Sequence, residues 1–249
     1  MNTHIYSYLI TTLAGLSTLL GVIPCLIKSN NKEKIIVSSL SFSAGVMLTI
    51  SLFSLIPESL NLFSSKFKLF PAIIILSIFI TIGIIFSMIL DQKIEKIITN
   101  NKLYKLGIIS VLALILHNIP EGITTFISSS IDLKLGLILA ISIALHNIPE
   151  GISIAIPIYH STNNLKKALI YTFISGFSEL LGAILAHLFL RKYINNIILG
   201  IILALTSGIM IHISIYELLP NAFSYKKNKV TITFLLLGSL IMLLCSIIL

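Results

Sequence analysis

Charge is what this sequence has least of. Of its 249 residues only 10% are Asp, Glu, Lys or Arg, against 56% hydrophobic, and the mean hydropathy is +1.05. Soluble domains carry about a quarter charged residues, so the composition excludes one. No segment between the apolar runs is long enough to form a soluble domain of its own. Cysteine is scarce too. Cys25 and Cys245 show no metal-type pairing and, on the topology below, end on opposite membrane faces, which argues against a disulfide and leaves both as packing residues. The first apolar run, Tyr6 to Ile27, lacks a basic start and a small-residue cleavage site, so it reads as a span rather than a signal peptide. A net charge of +8 would suggest a nucleic-acid partner in a soluble protein. Here it reflects the loops, and no nucleic-acid partner is expected.

Apolar runs near the roughly 20 residues that a helix needs to cross a bilayer recur from end to end. Clusters of Lys, Asn, Ser and Pro divide them into about eight helices, at roughly 6–27, 35–60, 70–90, 106–130, 134–158, 166–190, 194–220 and 230–249. The expected fold class is an all-α membrane protein, one integral-membrane domain over 1–249, with the lipid bilayer as its surroundings. Counting cations by loop parity puts twelve on one side, Lys28 and Lys105 among them, and five on the other: Lys66, Lys68, Lys134, Arg191 and Lys192. The richer side is assigned to the cytoplasm, so both termini point outward in a multi-pass protein of the cell inner membrane.

Two repeats are written into the spans. His-Asn-Ile-Pro-Glu-Gly-Ile occurs at His117 to Ile123 and again at His146 to Ile152. The copies lie in consecutive, antiparallel spans and are related by an approximate two-fold axis in the membrane plane. A weaker pair supports the same symmetry: Gly45 to Ser51 followed by Pro57 in the second span, and Gly208 to Ser214 followed by Pro220 in the seventh. Inverted repeats of this kind are a common plan for transporters, with the substrate site near the midplane.

Glu121, Glu150, Glu179 and Glu217 fall within the expected spans, and no Lys or Arg lies deep in any of them. A carboxylate at that depth costs a few kcal/mol, so it must be protonated, hydrated or bound to a cation. His117 precedes Glu121 by four residues and His146 precedes Glu150 by four, which puts each pair on one helix face, with Asn118 and Asn147 on the adjoining edge. Two imidazoles and two carboxylates suit a tetrahedral zinc site. The asparagine oxygens and a shared carboxylate suit a neighbouring site for a harder ion such as Fe2+ or Mn2+. Pro120 and Pro149 should kink their helices and free the carbonyls of Leu116 and Leu145. Gly122 and Gly151 should admit a neighbouring helix closely. A single such cluster would read equally as a packed kink with a protonated glutamate; two antiparallel copies do not. Glu179, between small residues in Ser175 to Gly182, is a third contributor. Glu217 would line an entrance or take up protons, and Glu58 reads as a solvated carboxylate at the outer interface. His187 and His212 divide evenly between packing and ligand roles, while His4, in a tail, and His160, in a loop, are assigned nothing.

With these residues in view, the chain resembles the ZIP (Zrt/Irt-like) family of metal transporters, most closely its bacterial ZupT branch. The resemblance covers essentially the whole chain and is most specific at His117 to Gly122, His146 to Gly151 and Ser175 to Glu179. It implies eight helices, outward termini, and a two-metal centre between the fourth, fifth and sixth spans. Glu121, His146 and Glu150 would hold Zn2+ with His117 close by. Asn118, Glu121, Asn147, Glu150 and Glu179 would form a second site able to take Fe2+, with the two shared glutamates bridging the ions. Two departures stand out. The stretch from Asp91 to Lys105 lacks the histidines that many relatives carry, and Ser54 replaces an acidic residue that close relatives tend to have in the second span.

The expected activity is uptake of Zn2+, and of Fe2+, Mn2+ and Co2+, into the cytoplasm, without enzymatic chemistry. An intramembrane zinc protease would need His-Glu-x-x-His, which is absent. A proton-coupled carrier of a small organic substrate would leave the paired His-Asn-Glu sets without a purpose. A homodimer would be reasonable for a membrane protein of this kind.

Overall fold

The computed structural model describes residues 2–27, 31–98, 101–190 and 195–248. Lys28, Arg191 and Lys192 of the cation count lie outside the described residues, as do positions 194 and 249 at the ends of the expected seventh and eighth spans. Among the described residues there is no strand, and eight helices are long and apolar enough to cross a membrane. They are α1 (His4–Leu26), α2 (Lys32–Ser64), α3 (Leu69–Ile97), α4 (Lys102–Ile131), α5 (Gly136–Thr162), α6 (Leu165–Phe189), α7 (Asn196–Ser224) and α8 (Asn228–Ile247). Four of them start on an asparagine. Asn31, Asn101, Asn164 and Asn195 accept hydrogen bonds from backbone N–H groups of the following first turn, at the ends of α2, α4, α6 and α7.

Several helices run further than hydropathy suggested. α3 reaches Ile97 and α4 starts at Lys102, so Asp91, Glu95 and Lys105 belong to helices rather than to a loop. Lys105 Nζ there lies 3.1 Å from Asp91 and 3.4 Å from Glu95. His4 is helical rather than part of a tail, and His160 lies in the last turn of α5 rather than in a loop.

Packing follows the inverted repeat. α2 packs on α8 as α7 packs on α3, while α1 and α6 both pack against α4 and α5. Each helix of the weaker repeat carries a widened, π-type turn just before its proline: Ser51–Leu55 ahead of Pro57 in α2, and Ile213–Leu218 ahead of Pro220 in α7. A proline ring crowds the carbonyl four residues back and donates no N–H, and a turn with i→i+5 spacing accommodates both defects. Pro120 and Pro149 stand inside α4 and α5, and neither supplies an N–H to the carbonyl four residues back. α3 and α8 are the least buried spans and α2 and α4 the most, so the repeat motifs sit centrally behind a lipid-facing rim.

Candidate metal centre

The centre is built from α4 and α5, with α6 and α1 closing its sides. A Cβ on Gly122 would overlap the backbone carbonyl of Glu179, and one on Gly151 the carbonyl of Thr18. The two motif glycines therefore set how closely α6 and α1 approach, as small residues do between membrane helices.

At that depth His117, Glu121, His146 and Glu150 converge. Glu121 Oε1 lies 2.9 Å from His146 Nε2 and 3.2 Å from His117 Nε2, and Glu150 Oε1 lies 3.1 Å from His117 Nε2. The His146–Glu121 contact has hydrogen-bond geometry, whereas the His117 nitrogen is in ion-pair range of both carboxylates without being aligned to either. His117 and Glu150 are fully buried, and His146 and Glu121 are each 5% exposed. Single donor atoms of His117, Glu121 and His146 fall within 4.8 Å of one another, compact enough for one ion.

An oxygen-rich edge adjoins this group. Asn147 Nδ2 donates to Glu179 Oε1 and, at 2.9 Å, to the Ala14 carbonyl of α1. Asn118 Nδ2 donates at 3.1 Å to the Ser175 carbonyl of α6. Both amides are thus held by their nitrogens. Their oxygens, Asn118 Oδ1 and Asn147 Oδ1, are buried without a donor, as are Glu121 Oε2, both Glu150 oxygens and Glu179 Oε2. Buried acceptors are ordinarily satisfied. Six of them from three helices, with no lysine or arginine beside them, make a donor set for a cation.

All seven residues singled out from the sequence, His117, Asn118, Glu121, His146, Asn147, Glu150 and Glu179, come together here. The other candidates lie elsewhere. His187 accepts or donates at 2.8 Å with Tyr8 and stacks on His4. His212 pairs with Ser87 at 2.9 Å. Glu217 lies against Asp91 at the far end of α7, and Lys105 is close by. Lys105, in the first turn of α4, makes its ion pairs with Asp91 and Glu95.

Sequence reasoning missed a cavity of about 200 Å³ that reaches the centre at Glu121 and His146. It is lined from the C-terminal half of α2 by Ser54 and Glu58, from α4 by Thr124 and Ser128, and from α5 by Ser142. All of these lie toward the face of the 65–68 loop, the cation-poor face. Glu58, expected as a solvated carboxylate at the outer interface, is exposed and also lines this cavity. The i,i+4 spacing of Ser54 and Glu58 was the signal that could have found it. Toward the opposite face Leu114 and Ile154 follow the centre along α4 and α5. With Met47 and Met210 they are fully buried in one apolar cluster.

The family described as ZIP zinc transporter matches residues 91–246. The chain is 38% identical to the zinc transporter ZupT of Chlorobium luteolum over 254 residues, covering 95% of each protein. It is 36% identical to that of Streptococcus mutans over 258 residues, 97% of each, and 38% identical to that of Campylobacter jejuni over 273 residues, 95% of this chain and 94% of the relative.

Proposed function

The chain belongs to the ZIP family of zinc transporters, and from that premise we propose that it takes up Zn2+ across the cell inner membrane into the cytoplasm. The observation that carries this reading is the set of six donor-less acceptor oxygens beside two imidazoles, buried at the depth of the inverted repeat. Zn2+ favours imidazole nitrogen and carboxylate oxygen, so His117, Glu121, His146 and Glu150 would hold it. Asn118, Asn147 and Glu179, with the two glutamates shared, offer mostly oxygen and suit Fe2+, Mn2+ or Co2+ as further cargo. The ions pass as substrates; no bond of the protein is made or broken. An ion arriving through the outer cavity exchanges water for these ligands and leaves when the inner apolar cluster opens. A homodimer in the bilayer is part of the same proposal.

The test is uptake of Zn2+ and Fe2+ into liposomes that contain the purified protein, wild type beside Glu150→Ala. Uptake by the wild type, lowered at least about tenfold in the variant, is the expected outcome. Unchanged Zn2+ flux in Glu150→Ala would remove Glu150 from the path. Absence of uptake by folded wild-type protein would overturn the transport reading.

A further inference from the structure

We propose that Glu58 is the capture residue of the outer cavity: it binds the arriving divalent cation and passes it to Glu121 and His146. This rests on the transport reading above and adds a residue to it.

The cavity has three ionisable side chains on its walls. Two, Glu121 and His146, belong to the centre; the third is Glu58, and no lysine, arginine or other acid lines it. Between them the walls carry hydroxyls, of which Ser54 shares the Glu58 face of α2. A cation that leaves bulk water for this pocket loses part of its hydration, and a carboxylate in a low-dielectric cleft focuses the field that draws it in.

The inverted repeat makes the same assignment independently. Aligning Gly45 to Pro57 with Gly208 to Pro220 sets Ser54 opposite Glu217 and Glu58 opposite Asn221. Glu217 and Asn221 both line a second cavity, of about 460 Å³, near the opposite ends of α3, α4 and α7. Each repeat helix therefore turns the same two positions, one turn apart, toward a cavity, the first inside a widened turn and the second just after it. Each carries one carboxylate there. In α7 it occupies the first position of the pair, and in α2 the second. The serine at 54 thus does not leave α2 without an acid on its cavity face: the carboxylate has moved one turn toward the cavity mouth.

A capture residue acts on arrival rather than on passage beyond the centre. In the liposome assay Glu58→Gln should raise the KM for Zn2+ by about three- to tenfold and leave kcat within about twofold. Returning the charge one turn deeper, in Ser54→Glu combined with Glu58→Gln, should restore KM to within about twofold of wild type. A merely structural glutamate would not be replaced from position 54, so the double variant separates the two roles. An unchanged KM in Glu58→Gln, or a raised KM that Ser54→Glu does not lower, would overturn the assignment while leaving the transport reading standing. No Zn2+ uptake by the wild type would overturn both.

Discussion

Glu150 shows what a single residue contributes to this site. It is fully buried, neither of its oxygens receives an aligned donor, and His117 Nε2 lies 3.1 Å from one of them. Such a carboxylate is costly in hydrocarbon unless a cation meets it. Metal and protons compete for the same atoms, because imidazole binds metal only when neutral and carboxylate only when ionised. The sign follows: proton binding opposes metal binding, so Zn2+ uptake should be high at pH 7.5 and fall several-fold by pH 5.5, below the ordinary imidazole value of about 6.5. Initial rates measured at equal free Zn2+ check this; a rate that rises on acidification would contradict ligation by these side chains. The asparagines should separate the metals. Asn118→Ala removes an oxygen ligand but no imidazole, so Fe2+ uptake should drop at least about fivefold while Zn2+ uptake drops less than about twofold, read as the ratio of initial rates.

At the scale of the helices, the centre depends on how near α1 and α6 come to the motif pair. Gly151→Val would drive a side chain into the Thr18 carbonyl and the Gly21 backbone of α1. Overpacking of this kind costs about 1–3 kcal/mol, so the melting temperature of the detergent-solubilised protein should fall by several degrees. Ile141→Ala, on a lipid-facing position of the same helix, should leave it nearly unchanged.

For the molecule as a whole, the decisive feature is asymmetry between its two faces. One cavity reaches the centre from the cation-poor face, and toward the cation-rich face Leu114 and Ile154 follow the centre, fully buried. If the cation-poor face is outward, a cysteine at the cavity wall should react with a membrane-impermeant thiol reagent added outside. In a background with Cys25→Ser and Cys245→Ser, Ser142→Cys should label from outside and be protected by Zn2+, whereas Ala113→Cys, fully buried on the other side of the centre, should not label. Labelling of Ser142→Cys only from the inside would reverse the orientation.

Much of this was legible in the amino-acid sequence. Hydropathy marks the eight spans because a bilayer demands long apolar helices, and the seven centre residues are readable because an intramembrane His-x-x-x-Glu repeated in antiparallel spans has few other uses. Helix ends were read less well: Asp91, Glu95 and Lys105 look like loop residues because hydropathy registers lipid contact, whereas the backbone stays helical beyond the bilayer until a cap or break stops it. The widened turns ahead of Pro57 and Pro220 show a related limit, since neighbouring helices decide whether a proline bends or widens a turn. Only the tertiary structure joined Glu58 to Glu121 and His146 along one cavity, and only it showed from which face that cavity reaches them. Those facts depend on how helices distant in sequence meet, and local periodicity does not encode that.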